Sequence, residues 1–550
     1  MGDNMKKIIS LLIVICLTAC IFAGCKSSND PVESNKAIAS TDKYRNFYQI
    51  WIGSFADSND DGTGDFQGII SQLDYLNDGD PNSGYDLGID GIWLSPMMPS
   101  YSYHKYNVED YFDIDEDFGT LDDFDQFMSE CNDRGIKVII DLVVNHSASN
   151  HPYFLKACEE LKKGKEDGCA QYYNFSKEKS EIYSRPVTGT DYYYEGEFTA
   201  EMPDWNLSYE GTRDYFEEIV KFWLDRGVAG FRLDAVKYFT DDNTDGEEFL
   251  KWFYDMAKSY KEDVYMVGED WEEAGIIYDK YETGIDSMFN FKFAGTDGTY
   301  ISAARSGLMK DFVNQLKKFD DNIKKRNENA INANFLTNHD MVRVYNMLEE
   351  DEMKMAAALY MLSPGNSYTY YGEEIGIQAP NTTNDASYRT PMIWDNDNLP
   401  DIYVSGVAEV EKTELGGVKQ QLVDDNSLLS TYRRLIKIKN ENPEIARGNI
   451  TQTVEFDDTR TAGYIVEYDG SKLMIVHNGN EEETTVTLDV DNAELRGDVV
   501  ATVSESLDED SKKSTESSEK SSVSSQKEHA SLSSNKLTMP AMSSAVLKIS

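Results

Sequence analysis

The stretch Gly230 to Tyr238, GFRLDAVKY, sets an arginine and an aspartate two residues apart at the end of a short apolar run. Side chains two apart on a strand face the same way, so Arg232 and Asp234 project together. A guanidinium beside a carboxylate keeps that carboxylate ionised, the state a nucleophile needs. Alone, such a triplet is more simply an ion pair at a strand end. Two later carboxyl groups change the reading: Glu269 in VYMVGEDW, after Val264 to Val267, and Asp340 in NFLTNHD, after Asn334 to Leu336. Short apolar strands separated by helix-length segments describe a parallel α/β barrel, whose C-terminal strand ends converge on one pocket. Three carboxyl groups in one pocket suit glycosidic chemistry.

Four stretches together say more than any one. DLVVNH (141 to 146), GFRLDAVKY, VGEDW (267 to 271) and FLTNHD (335 to 340) stand in this order. They resemble the four ordered blocks of the α-amylase family of glycoside hydrolases, family 13. The likeness runs from about Phe47 to Arg447, and it is similar to bacterial lipoprotein α-amylases and to the group between oligo-1,6-glucosidases and neopullulanases. It implies a (β/α)8 TIM barrel over 44–144 and 207–447, with a small domain inserted at 145–206 after the third strand. From 448 to 550, alternating patterns such as Thr461 to Tyr468 and Lys472 to His477 indicate an antiparallel β-sandwich. Within the sandwich, the Ser-, Lys- and Glu-rich stretch 507–536 is expected as a disordered loop.

The resemblance implies a retaining hydrolase of α-1,4-glucosidic bonds in starch, maltodextrins or related α-glucans. An oligosaccharide α-glucosidase or neopullulanase-like hydrolase is the alternative within the family, and a non-catalytic α-glucan-binding protein the alternative outside it. Asp234 is then the nucleophile and Glu269 the proton donor, two carboxyl groups about 5 to 5.5 Å apart. Asp340 would grip the sugar hydroxyls more tightly as the ring becomes cationic. Tyr106 would stack on the sugar ring, and His146 would hydrogen-bond its hydroxyls. Arg232 and His339 complete the ring of contacts, Lys237 serves the leaving-group side, and Arg343 is a further substrate contact. Two departures from the family stand in this chain. Asn107 follows Tyr106 where relatives usually have aspartate, which favours cleavage within a chain, and Tyr238 replaces the customary histidine after Lys237. The block Met202 to Asn206, MPDWN, varies with specificity in the family, and Trp205 is an unusual choice there.

After the first expected strand, Phe47 to Trp51, the stretch 57–65, DSNDDGTGD, places oxygen-bearing side chains at alternate positions with Gly62 at a sharp bend. Such spacing wraps Ca2+: Asp57, Asn59, Asp61 and Asp65 would give side-chain oxygens and Thr63 its carbonyl. Gly68 stands where an EF-hand has its bidentate glutamate, so the loop resembles instead the calcium loop after the first barrel strand of the family. A solvated acidic turn is the other reading. By resemblance, Asn145 would bind a second calcium between domains.

The remaining bounds concern partners and location. With 52 Lys and Arg against 99 Asp and Glu, the formal charge of -47 argues against nucleic acid, because phosphate binding needs clustered cations. Lys6 and Lys7 precede an apolar run from Ile8 to Phe22, shorter than the roughly 18 residues of a spanning helix. Residues 1–25 therefore read as an export signal. FAGC, Phe22 to Cys25, resembles a lipoprotein cleavage box with Cys25 as the lipidated residue. LTAC with Cys20 also fits, but the polar tether 26–43 begins straight after Cys25. The expected location is the cell surface, held to the membrane through this lipid anchor only, with secretion as the alternative. Cys131, Cys158 and Cys169 form no disulfide scaffold; Cys158 and Cys169 could close one loop or stay free.

Overall fold

The computed structural model describes residues 45–80, 83–240, 245–403, 410–490, 492–501 and 529–550. The leader with Cys25, the tether, and residues 507–528 of the expected loop lie outside the described residues. Eight strands, Asn46–Ile50 (β1), Gly91–Leu94 (β2), Lys137–Leu142 (β3), Gly230–Leu233 (β4), Tyr265–Gly268 (β5), Ser287–Phe289 (β6), Ile331–Phe335 (β7) and Asn366–Tyr370 (β8), close into one barrel. Every neighbouring pair is parallel. Nearly every strand residue is buried, as expected where helices cover a parallel sheet. Phe47, Trp93, Phe289, Phe335 and Tyr368 fill the interior, so the barrel is a packed core rather than a pore.

Register is what matters for function. β3 pairs with β4 so that Asp141 lies opposite Arg232, and β4 pairs with β5 so that Leu233 lies opposite Gly268. Asp234 and Glu269 are each the next residue, so they leave neighbouring strands side by side. Gly230 permits this pairing, because a Cβ there would meet the Tyr265 carbonyl oxygen at 1.9 Å.

Between β3 and β4 the chain forms a helix, Pro152–Lys162, and a three-stranded sheet of Phe175–Ser176, Tyr183–Pro186 and Tyr193–Glu195. Trp205 belongs to the core of this excursion: it is 1 % exposed and stacks on Tyr173 at 4.4 Å. The last barrel helix, Leu428–Glu441, is followed by Pro443–Arg447 and then the first C-terminal strand, Asn449–Glu455. A five-stranded and a three-stranded antiparallel sheet share a core that includes Ile465, Met474, Leu537 and Leu547. This sandwich is tied to the barrel, for example through Tyr464 Oη donating to the Leu362 carbonyl at 2.9 Å.

The apolar run Ile136 to Val144 is strand only to Leu142, where its partner β4 stops too. The stretch 299–326 is two helices, Thr299–Ser306 and Met309–Arg326, split where Gly307 adopts φ +69° and caps the first. The loop expected over 507–536 ends early: Ser531–Ser533 is a strand whose Leu532 pairs with Leu537, and Leu537 is fully buried in the sandwich. Cys131, Cys158 and Cys169 are free thiols. Among the described residues no helix is long and apolar enough to cross a membrane.

Candidate active site

One guanidinium organises the C-terminal mouth of the barrel. Arg232, fully buried, reaches Asp234 Oδ1 at 2.6 Å, Asp141 Oδ1 at 2.8 Å and Glu269 Oε2 at 2.9 Å. Three carboxyl groups around one cation leave the cluster short of positive charge. Against the expectation that the arginine alone keeps it ionised, burial pushes the Asp234 carboxyl well above its ordinary range; Arg232 pulls it only partly back, and Glu269 and Asp141 add to the rise.

Glu269 is aimed by its neighbours. Its Oε2 also accepts from the Ala235 N–H at 3.0 Å, and its Oε1 accepts from Trp271 Nε1 at 2.9 Å. Ala235 has φ +52°, a left-handed conformation that costs a non-glycine residue roughly 1 to 2 kcal/mol. The turn this conformation makes directs the amide after the nucleophile onto the second carboxyl group.

A hydrogen-bonded chain connects the cluster to Asp340. Gln49 Nε2 donates to His339 Nδ1 at 2.8 Å, which leaves Nε2 of the ring as the protonated nitrogen. That nitrogen reaches Tyr106 Oη at 2.6 Å and Asp340 Oδ2 at 3.0 Å. Tyr106 Oη donates to Asp141 Oδ2 at 3.1 Å, and Asp141 returns to Arg232. Burial alone would raise the Asp340 carboxyl, but His339 and Arg389, the latter at 2.8 Å, hold it well below its usual range.

Asp234, Glu269, Asp340, Arg232, His339 and Tyr106 thus share one site, while the other expected residues are disposed differently. His146 is buried, its ring 5.2 Å from Phe198, and its Nε2 makes no hydrogen bond among the described residues. Burial lowers its pKa to about 3, so it is neutral at working pH. Lys237 is exposed and paired with Glu272 at 2.7 Å. Arg343, expected at the substrate, is turned away from the cleft. It is 1 % exposed and donates to the carbonyls of Tyr371, Tyr388 (2.8 Å) and Thr390 (3.5 Å). Asn107 also faces away, donating to Tyr101 Oη at 3.0 Å and the Glu201 carbonyl at 3.2 Å, so its identity says nothing direct about the sugar. Asn145 donates to Asp204 Oδ1 at 3.2 Å, which ties the end of β3 to the end of the inserted segment.

The sequence reading missed Arg389, Tyr103 and Trp51. Arg389 donates to Tyr103 Oη at 2.6 Å as well as to Asp340, and lies 4.3 Å over the Trp51 ring. Nothing in the spacing of RTPMIWD, 389–395, relates Arg389 to a carboxylate some 50 positions earlier in the chain.

In the loop 57–65 the side-chain oxygens turn inward onto the loop's own amides. Asp57 accepts from Asn59, Asp60 and Gly62, Asn59 from Asp61, and Asp61 from Thr63, all at 2.8 to 3.0 Å. Asp60 and Gly62 take positive φ to make the curl. Asp65 caps the helix Phe66–Ser71 through Gly68 N and holds Ser58. The donor set is oxygen only, which fits a hard cation. Among the described residues no group of three or more His, Cys, Asp or Glu side chains is placed to hold a metal, so Asn59 and the loop carbonyls would have to contribute.

Residues 49–448 match the family model of the α-amylase catalytic domain. α-Amylase 3 of Dictyoglomus thermophilum is 34 % identical, over 80 % of this chain and 86 % of that protein. Oligo-1,6-glucosidase of Bacillus cereus is 27 % identical over 81 % of this chain and 92 % of that protein. Among solved structures, Amy13B of Eubacterium rectale superposes with a TM-score of 0.81 at 35 % identity, covering 95 % of this chain and all of that one.

Proposed function

The chain belongs to the α-amylase family of glycoside hydrolases, and on that premise we propose that it hydrolyses α-1,4-glucosidic bonds of starch or maltodextrins with retention of configuration. The observation that carries this reading is the Arg232 fork, which holds Asp234 and Glu269 on its two terminal nitrogens. A single guanidinium between two carboxyl groups suits the close spacing of roughly 5 to 5.5 Å used for retention, rather than the wider gap of inversion.

In this reading Asp234 attacks the anomeric carbon and Glu269 gives its proton to the departing oxygen. Glu269 then takes a proton from water as that water opens the glycosyl-enzyme bond. His146 offers an unsatisfied buried nitrogen to a sugar hydroxyl, and satisfying it is favourable on binding. Tyr106 presents an aromatic face. Asp340, kept ionised by His339 and Arg389, stabilises the cationic ring of the transition state. Phe198 packs edge-on against Tyr238 at 5.1 Å, and half-exposed Trp271 against Phe291 at 4.6 Å; these pairs provide walls for the leaving sugar, with Lys237 at the lip.

The contact between Tyr103 and Arg389 bridges the loop after β2 and the segment after β8 beside Asp340. It favours a second reading in which the glycone end is closed and short oligosaccharides are the substrates. Reducing-sugar release from soluble starch tests hydrolysis, and the anomer released, read by proton NMR, tests retention. The size of early products from amylose separates the two readings.

We also propose that Asp57, Asn59, Asp61, the Thr63 carbonyl and Asp65 hold Ca2+. The cation would stiffen the loop after β1 and take no part in bond cleavage. Export and lipid attachment at Cys25 rest on the leader sequence alone; incorporation of labelled palmitate, lost in Cys25→Ser, tests them.

A further inference from the structure

Two arginines lace the same pair of segments in opposite directions. Arg389 runs from the segment after β8 back to the loop after β7, donating to the His339 carbonyl at 3.1 Å and to Asp340 Oδ1 at 2.8 Å. Arg343 runs from the loop after β7 to the segment after β8. Its Nε donates to the Tyr388 carbonyl at 2.8 Å, and Nη2 lies 3.5 Å from the Thr390 carbonyl. Tyr388 and Thr390 are the two neighbours of Arg389, so Arg343 grips the main chain on both sides of it. Its Nη1 donates to the Tyr371 carbonyl, just past the end of β8.

Arg343 touches no carboxylate among the described residues. Its charge lies over the rings of Tyr370 and Tyr371, at 4.1 and 4.5 Å, and the buried Glu373 and Glu374 are near enough to feel it. A fully buried cation spent on neutral carbonyls is an expensive way to hold a loop. A planar fork is suited to three carbonyls converging from two segments, and a lysine cannot reproduce it.

We propose that Arg343 is a positioning residue for hydrolysis, acting through Arg389 to fix the Asp340 carboxylate where charge develops. The proposal rests on the hydrolytic reading above. The guanidinium of Arg389 determines where Asp340 Oδ1 sits, and Arg343 determines where the main chain bearing Arg389 sits. A displacement of about 1 Å at such a group costs on the order of a hundredfold in rate. The loss should fall on kcat, because the interaction is made in the transition state rather than with bound substrate.

The test is a double-mutant cycle on the full-length chain with Arg343→Lys and Arg389→Lys, read in kcat and KM on maltoheptaose and in unfolding temperature. Each single variant should lose on the order of ten- to a hundredfold in kcat with KM nearly unchanged. The double variant should be little worse than Arg389→Lys alone, since the two act in series. Arg343→Gln repeats the cycle if the lysine variant does not fold. Multiplicative losses in kcat, or a rise in KM at unchanged kcat, would overturn the proposal even if unfolding temperatures are coupled, because a merely structural strut gives that pattern. Absence of turnover in the wild-type chain would overturn the hydrolytic reading and this proposal with it.

Discussion

Trp271 Nε1 donates to Glu269 Oε1 at 2.9 Å, although the two residues are only two positions apart and the indole is half exposed. The helix that follows begins only at Ala274, three residues past the indole. The ring also packs on Phe291, so donor and ring can be separated by mutation.

Trp271→Phe keeps the packing surface and removes the donor. The indole N–H steadies the carboxylate that Glu269 becomes as it gives up its proton, and a hydrogen bond to a charged group contributes about 1.5 to 3 kcal/mol, so kcat/KM should fall by roughly tenfold or more while the unfolding temperature stays within a few degrees. Trp271→Ala should lose further and also raise KM for longer oligosaccharides, because the wall itself is gone. Equal kinetics for wild type and Trp271→Phe would remove the indole N–H from the mechanism.

Asp234→Asn should abolish starch hydrolysis and raise the unfolding temperature at pH 7. Burial, partly opposed by Arg232, raises the Asp234 carboxyl in the folded chain. A carboxyl raised on folding binds its proton more tightly folded than unfolded, so stability falls as pH climbs above the unfolded value. The amide carries no such cost, and Arg232 keeps Asp141 and Glu269 as partners. Near pH 3 the carboxyl is protonated in both states, and the difference should disappear. A less stable variant at pH 7 would show that the Arg232 contact outweighs burial.

Much of this site was legible because its logic is local. An arginine and an aspartate two apart share a face on any strand, and a carboxyl one step past a strand end points into the mouth of any parallel barrel. Hence Arg232, Asp234 and Glu269 could be read from short stretches, while Asp340, five residues past the end of β7, rested on the resemblance of FLTNHD. The partners of Arg343 and Arg389 could not be read this way, since where a guanidinium finds its acceptors depends on segments far along the chain, 45 and 47 residues away for Arg343. Trp205, in a block that varies with specificity in the family, is here part of a buried stack with Tyr173. The left-handed Ala235 left no trace in the sequence, because alanine carries no marker for positive φ.

Chelation tests the loop after β1. If the cation binds the folded chain alone, saturation at about a hundred times Kd stabilises by roughly 2.7 kcal/mol. EDTA should therefore lower the unfolding temperature by several degrees, and excess Ca2+ should restore it. Asp57→Ala together with Asp61→Ala should be insensitive to both additions. Equal unfolding temperatures with and without EDTA in the wild type would leave the loop as a self-capped acidic turn.

Glu373 offers a test of the scaffold behind the site. It is 3 % exposed and accepts from Tyr432 at 2.7 Å and Tyr360 at 3.2 Å, while its other oxygen has no hydrogen-bond partner among the described residues. Burial pushes its carboxyl up to about 8; the two phenols pull it back, and Glu374 adds to the rise. With the folded value above the unfolded one, its contribution to stability is whole below about pH 4.5 and is lost as pH rises through 8. Tyr48, Tyr75, Tyr360 and Tyr432 are all raised and stay protonated across this window. Lys439, lowered to about 7 by burial, works in the opposite sense, so the informative quantity is the difference between wild type and Glu373→Gln. That difference should grow in favour of the variant by on the order of a few kcal/mol between pH 5 and pH 9. Parallel stability curves for the two proteins over that range would mean that Glu373 ionises in the folded chain as it does in solvent.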